Sequence, residues 1–239
     1  MCAIIFAMPA ASIRARVRAE MIDEIKAVAR RHLAADGANL SLRAVARDMG
    51  MVSSALYRYF ASRDDLLTAL ILDGYNSLGE AVERADAKVT DRAQLRARWL
   101  SATRAVRNWA LANPAEYALL YGSPVPGYAA PQDTVAAAAR TPVVLVRIQV
   151  DGWASGAVTA AGFRPSAPLP DPVRADMARA GAVIAAGVPE ELFHIGLTCW
   201  VHLFGLVSFE LFGQFNNVID ARAEFFDLQM EMLADLMGI

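Results

Sequence analysis

Cysteine, metal-ligand clusters, catalytic motifs and long unbroken apolar runs are all scarce in this chain, and each shortage removes a class of protein. Two cysteines in 239 residues, Cys2 and Cys199, supply no disulfide framework, so the natural compartment is a reducing cytosol. Glu191-x-x-His194 has the spacing of a di-iron helix, and Cys199-x-x-His202 sets two soft ligands nearby. No second carboxylate–histidine pair or supporting set of glutamates accompanies them, so packing is the reading and no metal or cofactor is expected. Gly-rich phosphate loops, nucleophile elbows and paired catalytic carboxylates are also missing, which leaves enzyme chemistry without a motif. The most apolar stretch, residues 192–215, is interrupted by His194, His202, Glu210, Gln214 and three glycines, so no membrane span is expected.

What remains is a chain rich in packing material. Hydrophobic residues make up 56% and charged residues 20%, a balance that excludes disorder and leaves apolar surface for a core plus an interface. The length accommodates one small and one medium domain. A net charge of −2 argues against nucleic acid, which demands a local excess of Lys and Arg. The distribution points the other way: residues 1–64 hold ten Lys and Arg against six Asp and Glu, and the remainder thirteen against nineteen. A basic head and an acidic body suit a protein whose head meets phosphate, although a solvated basic face gives the same count.

Residues 1–8 are apolar but too short to cross a bilayer, and Arg14, Arg16 and Arg18 follow them rather than precede them. They read as part of a disordered lead, 1–16, or as a start-site artefact with Met8 as the alternative start. Periodicity then predicts an all-α chain. Met21, Ile22, Ile25, Val28, Ala29 and Leu33 stripe a helix over 17–35, which Asp36-Gly37 ends. Ser41 is an N-cap for a short helix stopped at Gly50; Val52, Ala55, Leu56 and Phe60 give the next helix its buried face; Ser62 caps a fourth helix reaching about residue 87. Further helices are expected over 93–112, 115–121, 133–139, 173–186, 190–215 and 221–237. The run 143–146 fits strand or helix, and helix is preferred because no partner strand is near.

Residues 42–60 carry the most information. Two short helices meet at a tight turn on Gly50, with small Ala46 where they must approach. In a helix-turn-helix the first helix braces on phosphates while the second sets exposed side chains against base edges. Ser53, Ser54, Tyr57 and Arg58 are placed for bases or phosphate, and Arg43 and Arg63 for phosphate. An ordinary helical hairpin with a polar surface has the same spacing, and spacing alone leaves both open.

The segments Ser41-Leu-Arg-Ala-Val-Ala-Arg-Asp-Met-Gly50, Val52-Ser-Ser-Ala-Leu-Tyr-Arg-Tyr-Phe60 and Ser62-Arg-Asp-Asp-Leu-Leu67 closely resemble the N-terminal domain of TetR/AcrR-type regulators. The resemblance covers about residues 17–72. It implies that Arg43, Ser53, Ser54, Ala55, Tyr57, Arg58, Tyr59 and Arg63 contact DNA. Arg63 stands where Lys is commoner and Ser54 where Pro or Gly is frequent, and neither change removes a charge or a helix start. The segment from Trp200 to Gly213 resembles the WHG type of C-terminal domain, with the histidine displaced to His202 and Phe204 before Gly205.

The expected organisation is therefore a three-helix helix-turn-helix domain at 17–63 and a larger helical bundle at 64–239 for ligand binding and dimerisation. The resemblance implies a homodimer built from the last two long helices, a double-stranded palindromic operator as partner, and repression relieved by a small, largely apolar effector. Trp99, Thr103, Trp109, Tyr117, Tyr121, Arg147, Trp153 and Trp200 are the candidate pocket residues, with Arg147 placed to meet a ligand carboxylate or polar head. The rival readings are a ligand-independent or activating DNA-binding regulator, and a helical enzyme or metal protein carrying the same hairpin.

Overall fold

Ten helices form in the described part of the chain, a computed structural model of residues 10–36, 40–159 and 169–239, and no strand occurs among those residues. They are α1 (Ala10–Asp36), α2 (Leu42–Asp48), α3 (Ser53–Leu56), α4 (Arg63–Ala87), α5 (Leu95–Ala112), α6 (Pro114–Tyr121), α7 (Thr134–Ala154), α8 (Asp171–Ile184), α9 (Glu190–Leu211) and α10 (Arg222–Met237).

Two cores organise them. Ile25, Val28, Ala29 and Leu33 of α1 pack with Leu42, Val45 and Ala46 of α2, Leu56 and Phe60 of the α3 region, and Leu66, Leu67 and Leu70 of α4. The second core gathers Leu78 and Val82 of α4 with Trp99, Val106, Ile148, Cys199, Leu203, Val207, Phe226 and Met230 from α5, α7, α9 and α10. The 25-residue α4 thus serves both cores, its first two turns belonging to the small domain and its later turns to the large one.

Charge pairs stitch the large domain where apolar contact alone leaves register undefined. Arg98 of α5 is 0% exposed and donates to Asp86 of α4 and Asp151 of α7, each at 2.8 Å. Arg107 of α5 grips Glu210 of α9 with two bonds of 2.6 and 2.7 Å, a bidentate geometry that fixes orientation as well as distance. Arg140 of α7 does the same to Glu83 of α4, at 2.6 and 2.8 Å.

Three elements differ from the sequence reading. Helix α1 begins at Ala10, so residues 10–16 are helical rather than a disordered lead; the expectation for residues 1–8 lies outside the described residues. The pieces expected at 133–139 and 143–146 are one helix, α7, running through Pro142. Its stripe of Ala137, Thr141, Val144, Leu145 and Ile148 continues at helical spacing across the proline, and burial of that stripe outweighs one lost ladder bond. Val52 is 70% exposed instead of buried, because it is the extended residue just before α3 and not part of its inner face.

Candidate functional site

The hairpin of α2 and α3 is set by local chemistry. Ser41 Oγ accepts from the Ala44 amide at 3.4 Å to start α2, and Gly50 takes φ 66° to end its turn, a left-handed conformation that costs glycine little. The Met51 amide then donates 2.8 Å back to the Ala46 carbonyl, closing the turn. Leu56, fully buried, pins α3 against this base. After four residues α3 tightens: the Arg58 and Tyr59 amides reach the Ala55 and Leu56 carbonyls three residues back, at 3.3 and 2.9 Å. Ser62 restarts the chain as α4 by accepting from Asp65 at 3.0 Å.

The outward surface of this hairpin holds the eight expected residues. Arg43, Ser54, Tyr57 and Arg58 are exposed, and Ser53, Ala55, Tyr59 and Arg63 are half-buried. Arg63 donates from Nε to the Leu40 carbonyl at 3.1 Å, so it braces the approach to α2 as well as facing outward in part. The sequence reading missed Arg18. From the exposed early turns of α1 its Nη2 donates to the Arg58 carbonyl at 3.2 Å, and its guanidinium lies 5.1 Å from the Tyr59 ring centroid. The only sequence signal was the run of arginines at 14, 16 and 18; the approach of Arg18 to the residues after α3 is tertiary.

Residues 25–70 match the family described as bacterial regulatory proteins, tetR family, and residues 99–233 match the tetracyclin repressor-like C-terminal domain. The chain belongs to the TetR family. The HTH-type transcriptional regulator Rv1816 of Mycobacterium tuberculosis is 37% identical over 232 residues, spanning 94% of this chain and 95% of that protein. The HTH-type transcriptional regulator Mb1846 of Mycobacterium bovis matches to the same extent. Among solved structures, the regulatory protein SCO4313 superposes with a TM-score of 0.73 at 34% identity, covering 95% of this chain and all of that one. As a TetR-family member the protein is a DNA-binding transcriptional regulator, and its helix-turn-helix falls inside the first matched segment.

In the TetR-family C-terminal domain the expected pocket residues do not converge on one place. Trp99 and Trp200 line a cavity of about 190 Å³ bounded by α5, α7, α8, α9 and the end of α10. Tyr121 lines a more open hollow between α1, α6 and α9, while Trp109 lines a groove on α4 and α5. Thr103 and Tyr117 are core residues with internal partners, the Trp99 carbonyl at 2.9 Å and the Phe204 carbonyl at 3.0 Å. Burial raises the Tyr117 phenol above its ordinary range and pushes the Cys199 thiol up to about 12.

Arg147 and Trp153 are exposed and line neither the cavity nor the hollow, so the charged anchor expected of Arg147 is absent from that cavity. Both fall outside the buried stripe of α7, which turns Gln149 inward instead. Gln149 was missed, since one amide in an apolar helix carries no signal until its neighbours are known.

The metal-spaced residues diverge as well: Cys199 is buried, whereas His202 is exposed and bonds Gln229 at 3.0 Å. Helix α9 is long and apolar enough to cross a membrane by length and composition, yet it packs on α5, α7, α8 and α10. Its outer face and that of α10 leave Leu197, Val201, Phe209, Phe212, Leu228, Met232 and Leu236 exposed.

Proposed function

We propose that the protein is a homodimeric repressor that binds a palindromic operator and leaves it when a small, largely apolar effector occupies the C-terminal domain. The observation that carries the reading is the outward-facing Tyr57–Arg58 surface, with Tyr57 46% exposed, Arg43 and Arg58 exposed as well, and Arg18 bonded to the Arg58 carbonyl. Ser53, Ser54, Ala55, Tyr57, Arg58 and Tyr59 meet the major groove, and Arg43 and Arg63 meet phosphate. The apolar rows of α9 and α10 support dimerisation, since helices with that much exposed apolar surface bury it against a partner. Twofold symmetry sets the two recognition elements about 34 to 36 Å apart, or a multiple of that, and so calls for a palindrome. Effector binding favours a dimer geometry that mismatches adjacent major grooves, and operator affinity falls by a coupling energy of about 1–3 kcal/mol.

The test is fluorescence polarisation with duplex DNA from upstream of the protein's own coding sequence, over a series of salt concentrations. A steep negative salt slope is expected. Arg58→Ala should weaken binding about ten- to hundredfold while leaving the thermal midpoint unchanged. Flat salt dependence, or full affinity in that variant, refutes the assigned interface. An operator affinity that no bound ligand alters refutes the effector-relieved repressor.

A further inference from the structure

We infer that the cavity beside Trp200 takes a single nonpolar ring, an arene hydrocarbon or halide without a hydrogen-bonding group, in the space between Trp99, Leu145, Val146, Phe193 and Met237. The inference rests on the effector reading above and narrows its ligand from largely apolar to wholly apolar.

Close packing leaves few voids larger than a water molecule in a protein interior. A hollow of about 190 Å³ is well beyond that size, and a nonpolar molecule of matching shape gains dispersion contacts along its whole wall. The polarity it accepts follows from where the polar atoms of the lining go. No ionisable side chain lines the cavity, and among the lining side chains only Trp99, Gln149 and Trp200 carry nitrogen or an amide oxygen. The Trp99 indole N–H donates to the Met230 carbonyl at 2.9 Å, and Gln149 Nε2 donates to the Leu192 carbonyl at 2.5 Å. Gln149 Oε1 and Trp200 Nε1 are both fully buried, so neither opens on the cavity. All three residues therefore show a ligand only carbon.

Glycine at position 196 explains how an amide stands in this wall without making it polar. A Cβ there would lie 2.5 Å from Gln149 Oε1, so glycine is what lets the amide oxygen tuck against α9. With its donor on Leu192 and its oxygen against Gly196, Gln149 leaves its carbon stem to the cavity. A hydroxyl, amide or carboxylate carried inside would lose its hydration and find no partner, whereas a hydrocarbon or halide has nothing to lose. The volume sets the scale, since an apolar cavity of about 150 Å³ accepts benzene. A cavity about a quarter larger, at about 190 Å³, fits benzene with one or two methyl or halogen substituents, and a fused second ring exceeds it.

Isothermal calorimetry on the full chain without DNA tests this with four probes: toluene, benzyl alcohol, benzoate and naphthalene. Toluene should bind at least tenfold more tightly than benzyl alcohol, and neither benzoate nor naphthalene should bind. Val146→Phe fills the cavity and should weaken toluene binding at least tenfold, with folding checked by circular dichroism. Leu145→Ala enlarges the cavity and should admit naphthalene, a gain that a misfolded variant does not give. Benzyl alcohol or benzoate binding as tightly as toluene overturns the apolar chemistry, and naphthalene binding as tightly as toluene to the parent overturns the single-ring limit. Failure of all four probes, or toluene binding that a folded Val146→Phe leaves intact, overturns the site. Operator binding is measured separately. Toluene that binds but leaves operator affinity unchanged sinks the effector reading and spares the site, whereas an operator affinity lowered by some other molecule, with none of these probes bound, does the reverse.

Discussion

Arg18 and Tyr59 meet across the two ends of the small domain, the guanidinium of one 5.1 Å from the ring centroid of the other. The same guanidinium donates to the carbonyl of Arg58, so the early turns of α1 are tied to the recognition surface. Neither partner is an anion, so its positive charge is not neutralised and stays beside the residues assigned to the groove. Arg18→Ala is therefore expected to weaken duplex binding about tenfold and to reduce the salt slope by about one unit, the signature of a lost phosphate contact. The thermal midpoint should move little, because an exposed cation–π pair contributes only about 0.5–1 kcal/mol. Polarisation titrations at several salt concentrations, with a melting curve for each variant, decide it. An unchanged slope removes Arg18 from the interface.

The contrast between Arg18 and Ser41 shows what a sequence makes legible. Ser41, Gly50 and Ser62 act on amides within three or four residues of themselves, or through their own backbone angle, so their roles as caps and stop were readable before any tertiary structure was known. The core stripe of α1 was readable for the same reason, because helical period alone places Ile25, Ala29 and Leu33 together. Arg18 meets Arg58 across forty residues and Gln149 meets Leu192 across forty-three, and no local rule joins either pair. Arg147 illustrates the opposite error. It is the right type of residue for a polar anchor and lies only two positions from Gln149, but two helical steps rotate it off the buried stripe.

Asp86 joins α4 to α5 through Arg98 and to the following loop through Arg92. Burial opposes ionisation of its carboxyl, but hydrogen bonds from Arg98 and Arg92 outweigh burial and hold the group below its ordinary range. The Arg140 bonds do the same for Glu83. With native values below the unfolded ones, the folded state binds fewer protons. The stabilisation is complete above the unfolded carboxylate range near pH 4 and drains away as pH falls through the native values. Asp86→Asn should abolish part of that acid dependence. It should also cost about 1.5–3 kcal/mol at neutral pH, because the fully buried Arg98 then keeps one carboxylate, that of Asp151, and the Arg92 carbonyl. Urea unfolding at pH 7 and at pH 4 measures both effects, and a neutral-pH loss under about 1 kcal/mol would contradict the account.

Leu228, Met232 and Leu236 lie one turn apart on α10 and are all exposed, beside the equally exposed Val201 and Leu197 of α9. If this face joins two copies, a carboxylate at its centre is desolvated without a partner. Leu228→Glu should then weaken association about a hundredfold or more while the helical content stays intact. Sedimentation velocity should show a shift from dimer to monomer, with operator affinity falling in parallel, since a single hairpin reads only one half-site. A variant that sediments as the parent does would place the interface elsewhere.

Glu116 stands where the two domains meet. Arg30 of α1 lies 2.6 Å from Asp73 of α4 and 3.8 Å from Glu116 of α6, and Thr68 bonds Tyr128 at 2.9 Å beside them. Helix α6 is anchored in turn to α9, through the Tyr117 hydroxyl on the Phe204 carbonyl and through the Tyr121 ring, 4.5 Å from that of Phe204. Phe204 stacks 5.7 Å from Trp200 at the cavity. Contiguity of this kind becomes coupling only if both ends bias one equilibrium, which requires a measurement of linkage rather than of either site alone. Glu116→Gln removes the charge that α6 presents to Arg30 and touches neither the cavity wall nor the recognition surface. The expected result is an unchanged operator affinity in the effector-free protein, with a severalfold smaller effect of bound effector on operator binding. If effector still weakens operator binding by the parental factor, the signal does not pass through α6.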